Sequence, residues 1–196
     1  CATSSALKNI AQMLHHNRLG AVLLLSLSAC NPANSSELSL YTSVKSGDCR
    51  KPSTAIAAFY ESRGLTTEEC DAVKDWRLFA VSSDERSWLE LARDATLWSS
   101  EEQVVYKNDF GNFPNIGAEK VEWQITRTNT PTALIFRIAA QDPQHTDKNV
   151  TRLFVLRFRD NTPYFCGVAK TNQEAMTLAE TKDACSTPLQ VKELPK

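Results

Sequence analysis

Short, largely apolar runs bounded by polar residues mark most of the strands that the sequence predicts. Residues 133–140 and 152–159 are the longest cases: Leu134, Phe136 and Ile138 share one face of the first strand, and Phe154, Leu156 and Phe158 share one face of the second. Short runs rich in β-branched and aromatic residues are typical of strands. The same criteria predict the remaining strands at residues 76–82, 87–93, 103–106, 121–127 and 163–169. We therefore expect a mainly antiparallel sheet of five to seven strands.

Two short helices are expected beside this sheet. Ser53 is a good N-cap for a helix with an apolar side that Gly64 ends, and Asn172 is the expected cap of a second helix through Ala184. Residues 110–117 contain two glycines and a proline, which is typical of a loop. The predicted fold is a single α+β domain with two helices.

The longest apolar run lies near the N-terminus. Residues 19–29 follow Arg18 and end in small residues, which is the order of a secretory signal. The run is 11 residues long, short of the ~20 that a membrane-spanning helix needs. We expect residues 13–29 to be a cleaved signal.

The end of that signal, Leu27-Ser28-Ala29-Cys30, resembles the lipobox of bacterial lipoproteins. The resemblance implies a diacylglyceryl group on the Cys30 thiol and cleavage immediately before Cys30. An ordinary signal-peptidase cut after Ser28 is the alternative, and it would leave Cys30 as a free thiol. Asn31 follows the cysteine where aspartate would signal inner-membrane retention in enterobacteria, which favours the outer membrane.

These observations predict five consecutive segments. They are an upstream extension, the signal, a flexible polar tether, the globular domain and a frayed C-terminal tail, at residues 1–12, 13–29, 30–40, 41–186 and 187–196.

Composition and charge are those of a soluble globular chain. Of 196 residues 42% are hydrophobic and 23% charged, and the net charge of −1 gives no overall basic field for nucleic acid. We expect no nucleic-acid partner and no cofactor.

Of the six cysteines, Cys1 lies upstream of the expected cut and Cys30 is assigned to lipid, which leaves four in the mature domain. In an oxidising compartment an even number of cysteines indicates disulfides, and four cysteines allow three pairings. We favour Cys49–Cys70 and Cys166–Cys185, because each pair encloses one local unit of the predicted fold. A zinc site is the alternative, but no C-x-x-C occurs and His145 is the only histidine after residue 30. No metal is expected.

Candidates for catalysis are few. His145 stands between Asp142 and Asp147 in a hydrophilic stretch, and a hydrolase would have to use it. Glu68-Glu69 and Glu101-Glu102 are paired carboxylates, but neighbours on a strand point to opposite faces, so we interpret them as solvated. We predict no catalytic residue.

A binding patch is the stronger candidate. Arg157 and Arg159 share one face of their predicted strand, and a hairpin centred on Asn129-Thr130 would place Trp123 opposite Arg137. That geometry permits a cation–π contact, and the functional hypothesis is an anion- or peptide-binding patch of these four residues. The interpretation that we favour is that the arginine stems cover the back of a half-buried sheet.

Several segments of the domain also resemble a group of uncharacterised exported proteobacterial proteins. The segments are Tyr41-Thr-Ser, the cysteines at 49, 70 and 166, Val121-Glu-Trp123 after Gly117, and Ala133-Leu-Ile-Phe-Arg137. The resemblance implies an exported α+β domain and no particular chemistry.

The sequence thus predicts a lipoprotein anchored through Cys30 on the periplasmic side of a bacterial membrane. We expect a non-enzymatic domain that binds an envelope protein or peptide. A small hydrolase with a site near His145 is the alternative, and a purely structural envelope protein is a third.

Overall fold

Two antiparallel sheets make up most of the described chain. The structure, a computed structural model, describes residues 38–181 and 185–195. Its strands, in chain order, are β1 (Leu38–Ser43), β2 (Thr66–Cys70), β3 (Arg77–Ser83), β4 (Arg86–Arg93), β5 (Thr96–Ser99), β6 (Asn112–Ile116), β7 (Lys120–Ile125), β8 (Pro131–Gln141), β9 (Asn149–Arg159), β10 (Thr162–Ala169), β11 (Thr187–Pro188) and β12 (Gln190–Glu193). The helices are α1 (Thr54–Glu61), α2 (Asn172–Glu180) and a π-helical segment, Glu102–Tyr106.

The strands separate into a seven-stranded sheet A and a five-stranded sheet B. Sheet A has the order β1-β7-β8-β9-β10-β11, and sheet B has the order β12-β5-β4-β3-β2. β6 also belongs to sheet A, because the eleven-residue β8 pairs with β7 along its first half and with β6 along its second. The expected single sheet is therefore two, although the mainly antiparallel character is confirmed.

The main core lies where the two sheets face each other. Leu134, Phe136 and Phe154 of sheet A and Leu78 and Leu91 of sheet B are all fully buried in it. Aromatic rings connect the two sheets: the ring of Trp76 lies 4.7 Å from that of Phe158 and 5.4 Å from that of Trp98. Burial of such large apolar side chains is the main stabilising contribution to a fold of this kind.

Each sheet carries one α-helix on its outer face. α2 packs Ala175 and Ala179 against Ile135 and Val155 of sheet A, in a smaller second core. α1 buries Tyr60 against Phe79 of sheet B, with ring centres 6.2 Å apart. The small side chains of α2 let that helix approach its sheet closely.

Both predicted disulfides are confirmed. Cys49 bonds to Cys70 and Cys166 bonds to Cys185. The first joins the segment before α1 to the end of β2, and the second joins β10 to the segment after α2. Each therefore holds a helix-containing loop against its own sheet.

The helices begin and end near their expected positions. Gly64 has a φ of +71° just after α1, in the left-handed region that favours glycine. The cap of α2 is Thr171 and not Asn172: the Thr171 hydroxyl accepts from the amide of Glu174, whose carboxylate accepts from the amide of Thr171. α2 ends at Glu180, four residues before the expected end.

Four segments differ from their sequence-based expectations. Residues 103–106 lie in the π-helical segment rather than in a strand, and the loop expected at 110–117 contains β6. Residues 38–40 of the predicted tether belong to β1. The tail expected to be frayed pairs as β12 with β5, and Leu189 and Leu194 are buried. Apolar anchors at both ends of β12 hold the tail in place.

Candidate functional site

A cleft opens between the two sheets at one end of the molecule. It has a volume of about 710 Å³ and is lined from sheet A by Val44–Ser46 and Ile116–Glu119, and from sheet B by Thr66–Glu68, Ala80–Ser82 and the β3–β4 turn. We call it the inter-sheet cleft. It is the candidate functional site because ligands bind preferentially in concave spaces between packed layers.

A change in the sequence of the inner face produces this cleft. On β3 the side chains facing sheet A run from Leu78 through Ala80 to Ser82, and Ser82 pairs with Thr66 on one side and Ser87 on the other. Large apolar side chains are thus replaced by small and hydroxyl-bearing ones. The two sheets have too little side-chain volume at this end to close the space between them.

β6 fixes the cleft wall that joins the sheets. The Ser87 hydroxyl donates to Asn115 Oδ1 (3.0 Å) and accepts from the amide of Ile116 (2.9 Å). Gly117 then passes so close to β8 that a Cβ at this position would lie 2.7 Å from the amide nitrogen of Ala139. A side chain at residue 117 would force this wall away from sheet A.

Charges of both signs line the mouth. Lys45 Nζ lies 2.8 Å from the Glu119 carboxylate, whose hydrogen bond raises the pKa of Lys45. The Ser46 hydroxyl donates to Glu68 (3.1 Å), and the Arg86 guanidinium lies 5.3 Å from the centre of the Phe113 ring. Hydroxyls, two carboxylates, an ammonium and a guanidinium together offer donors and acceptors to a polar, extended ligand.

A second polar group of residues is closed to solvent. Glu90 on β4 is fully buried, and its carboxylate accepts from Tyr60 Oη (2.6 Å), Ser99 Oγ (2.6 Å) and Trp88 Nε1 (3.2 Å). Lys192 Nζ on β12 lies 3.5 Å from the same carboxylate. Burial, followed by the nearby Glu90 charge, raises the pKa of Tyr60 far above its usual range. This Glu90 network joins α1, β4, β5 and β12.

A third group of charges surrounds Glu69 at the edge of sheet B. Arg77 donates two hydrogen bonds of 2.8 Å to its carboxylate, and Arg50 donates one of 2.8 Å. The Arg77 hydrogen bond is the main reason that the pKa of Glu69 is lowered. Glu69 was expected to be solvated but is only 5% exposed. Its carboxylate can be buried because the two guanidiniums donate the hydrogen bonds that water would otherwise provide.

The structure places Trp123 on the opposite face of sheet A from the three arginines of the predicted patch. Trp123 lies opposite Leu134 rather than Arg137, and its buried ring points into the core, where it stacks on Phe158 at 6.1 Å. The turn between β7 and β8 is centred near Thr128, with Ile125 opposite Pro131, and not on Asn129-Thr130 as expected, so the register differs from the expected one.

The three arginines lie on the α2 side of sheet A and make separate contacts. Arg137 donates to the Thr151 hydroxyl (3.2 Å), Arg157 donates to the carbonyl of Ala179 at the end of α2, and Arg159 lies over the Tyr164 ring at 5.1 Å. The cation–π contact predicted for Trp123 and Arg137 is therefore wrong.

His145 lies in an exposed turn. The Asp142 carboxylate accepts from the amides of Gln144 (2.8 Å) and His145 (3.3 Å), and the first of these hydrogen bonds is the main reason that its pKa is lowered. His145 Nδ1 lies 3.6 Å from Asp142. Within residues 38–181 and 185–195, Asp142 is the one side chain paired with this imidazole. The carboxylate thus acts first as a turn-stabilising acceptor.

Comparison with known proteins finds no match for this chain. No family model, curated protein or solved structure matches the chain. In the part of the chain that the structure describes, no three histidine, cysteine or acidic side chains are grouped to hold a metal ion, and no helix has the length and hydropathy to cross a bilayer. The lipobox and Cys30 lie outside the described residues.

Proposed function

We propose that this protein is an exported lipoprotein, anchored through Cys30 on the periplasmic side of a bacterial membrane, whose single α+β domain binds an envelope component without catalysis. The lipobox-like Leu27-Ser28-Ala29-Cys30 supports the anchor. The two disulfides support an oxidising compartment, because such bonds persist where thiols are not kept reduced. Asn31 after the cysteine favours the outer membrane.

The inter-sheet cleft is the observation that carries the binding function. Its volume of about 710 Å³ is in the range of ligand pockets. Its hydroxyls and its charges of both signs favour a polar peptide segment of an envelope protein over a purely apolar or a strongly charged ligand. Thr66 and Ser82 can exchange their mutual 2.7 Å hydrogen bond for bonds to peptide groups.

Photo-crosslinking in cells tests the binding site. A photoreactive amino acid at Lys45 places the probe at the mouth of the cleft, where the native side chain is 53% exposed. The matched control is Val191 on β12, which is 58% exposed and does not line the cleft. We expect a discrete light-dependent adduct from position 45 and none from 191. No adduct from 45, or the same adduct from both positions, would contradict the cleft as the site.

The anchor has a separate test. Cys30→Ser removes the acceptor thiol, so we expect the protein to lose its acyl chains and to leave the detergent-soluble membrane fraction or to accumulate as precursor. Acyl labelling that persists in the variant would contradict attachment at Cys30.

The hydrolase alternative depends on the Asp142–His145 pair, which lies next to a smaller cavity of about 580 Å³ lined by Asp109 and Lys170 among others. His145→Ala is the deciding variant, because no other histidine follows residue 30. We expect the His145→Ala protein to complement a deletion strain as well as the unchanged protein does. Loss of complementation with an unchanged melting temperature would favour the hydrolase.

A further inference from the structure

In residues 38–181 and 185–195, nothing pairs with the outer edge of β1. β1 pairs with β7 on one side, and no strand of the described residues pairs with it on the other. The amide of Val44 donates to the carbonyl of Glu119 (2.8 Å), so even-numbered residues of this segment direct their backbone groups toward β7. Ser39, Tyr41 and Ser43 therefore direct their N–H and C=O groups outward.

The side chains of this edge do not block it. The strand Leu-Ser-Leu-Tyr-Thr-Ser contains no charged residue and no proline, the usual means of protecting an exposed edge. Leu38 is 49% exposed, Leu40 42% and Tyr41 56%. Unpaired backbone groups beside half-exposed apolar side chains favour the addition of another strand.

We propose that β1 pairs with β1 of a second copy of this chain, antiparallel and with the twofold axis at Leu40. Ser39 of one copy then lies opposite Tyr41 of the other, and their outward backbone groups form four hydrogen bonds across the axis. Leu40 lies opposite Leu40 of the second copy on the inner face. The two A sheets become one continuous sheet.

The described residues favour this register over a twofold axis at Tyr41. Residues opposite each other in one sheet share a face, so the axis must pass through a residue rather than between two. An axis at Tyr41 would require the backbone of Ser43, but Cys49 Sγ lies 4.0 Å from that carbonyl and Ser43 is half-buried. With the axis at Leu40, Ser39 and Tyr41 are sufficient, and both are exposed.

A second copy fits this edge better than a charged partner strand. Pairing of two identical strands brings side chains of the same kind close together. Such proximity is destabilising for charged side chains, but it carries no electrostatic cost for the uncharged Leu40, Ser39 and Tyr41. The Ser39 hydroxyl is already bonded to Glu122 (2.7 Å) and Gln124 (2.9 Å) on its face, which leaves its backbone free for pairing. Attachment of both copies to one membrane, which rests on the proposed function, would raise their effective concentration.

Site-specific disulfide trapping tests the register. Residues opposite each other in a non-hydrogen-bonded pair have Cα atoms about 4.5 Å apart, within disulfide reach. We expect Leu40→Cys, made in the full chain with Cys30→Ser, to form a species of twice the mass on oxidation. Leu38→Cys is the matched control, because its two copies would lie four residues apart along the strands, about 13 Å. Val191→Cys is the remote control.

The outcomes separate the partners and the two proposals. Trapping at position 40 well above positions 38 and 191 supports the pairing. Equal trapping at all three positions, no trapping at 40, or an adduct of another mass overturns it. Sedimentation of the full chain in detergent gives a second readout. We expect the Leu40→Lys variant to lose the dimer while its melting temperature stays unchanged. A dimer that persists in this variant contradicts the proposal. Because the cysteine variants lack Cys30, failure of the lipid anchor leaves this result unaffected.

Discussion

The outer edges of β1 and β2 are built in opposite ways. At β2, Arg50 exchanges two backbone hydrogen bonds of 2.8 Å with Glu69, and its side chain also binds the Glu69 carboxylate. Pro52 cannot donate the next backbone bond and turns the chain into α1. The Cys49–Cys70 disulfide fixes this arrangement covalently. At β1 no proline, charge or disulfide among the described residues occupies the edge.

This difference indicates where the fold permits contact with other molecules. Edge strands tend to pair with any available chain, and proteins limit that tendency with charges, prolines and covering segments. Charges, a proline and a covering segment protect the edge at β2, whereas none of these features among the described residues protects the edge at β1. The β2 edge therefore stabilises the domain, and the β1 edge is the one at which we propose association.

Weakening the side-chain contacts at the β2 edge should have the largest effect on the stability of the domain. Glu69→Ala leaves Arg50 and Arg77 without their carboxylate, and we expect a loss of about 3 kcal/mol in the free energy of unfolding. That is the low end for a buried ion pair, because both arginines keep contact with solvent. Urea unfolding with the disulfides intact measures it. Glu68→Ala is the matched control, with an expected loss below about 1 kcal/mol; equal losses would contradict the assignment.

Removal of the Cys49–Cys70 disulfide should lower the free energy of unfolding by a similar amount. Cys49 and Cys70 are separated by 21 residues, and the chain entropy released by reopening such a loop is about 3 kcal/mol. The double substitution Cys49→Ala with Cys70→Ala should therefore lower the free energy of unfolding by that amount. The pair Cys166 and Cys185, 19 residues apart, provides the comparison. An effect below about 1 kcal/mol would show that Arg50 and Glu69 hold the edge without the disulfide.

Acid should weaken the β2 edge before it affects the β1 edge. Hydrogen bonds from Arg77 lower the pKa of folded Glu69 below its unfolded value of about 4.3. The resulting stability is complete above the unfolded pKa and is lost as pH falls through the folded pKa. We expect the free energy of unfolding to fall below pH ~4 and the fall to be shallower in Glu69→Gln. An identical acid slope in both proteins would contradict this role for Glu69.

The open edge should tolerate substitution best. Tyr41→Ser removes a half-exposed ring from β1 without leaving a buried group unpaired, so we expect a change within about 0.5 kcal/mol. Thermal unfolding of a dilute sample measures the domain alone. A loss above 2 kcal/mol would show that β1 is part of the stabilising core and would remove the contrast between the two edges.

The long apolar strands could be predicted from the sequence and the short polar ones could not. Residues 133–140 and 152–159 lie within β8 and β9, because their largely apolar runs fill buried positions on both faces of sheet A. β1, β2 and β6 are short and carry several polar residues or a proline, so their pairing depends on neighbours distant in sequence. The division into two sheets is likewise set by tertiary packing.

The polar sites were harder to predict than the strands. Glu90 stands between Leu89 and Leu91 in β4, and a single acid in an apolar strand is a signal for a buried carboxylate. Its partners Tyr60 and Lys192 are far from Glu90 and from each other along the sequence, so no local sequence pattern shows the network. Similarly, the turn between β7 and β8 is centred near Thr128 and not on Asn129-Thr130, which places Trp123 opposite Leu134.

Intact mass spectrometry of the protein from membrane fractions, with and without reduction, tests the central claim most directly. The account predicts residues 30–196 plus acyl chains, and a gain of four hydrogens on reduction of the two disulfides. An unlipidated chain in the soluble fraction, or a mass unchanged by reduction, would contradict an exported lipoprotein.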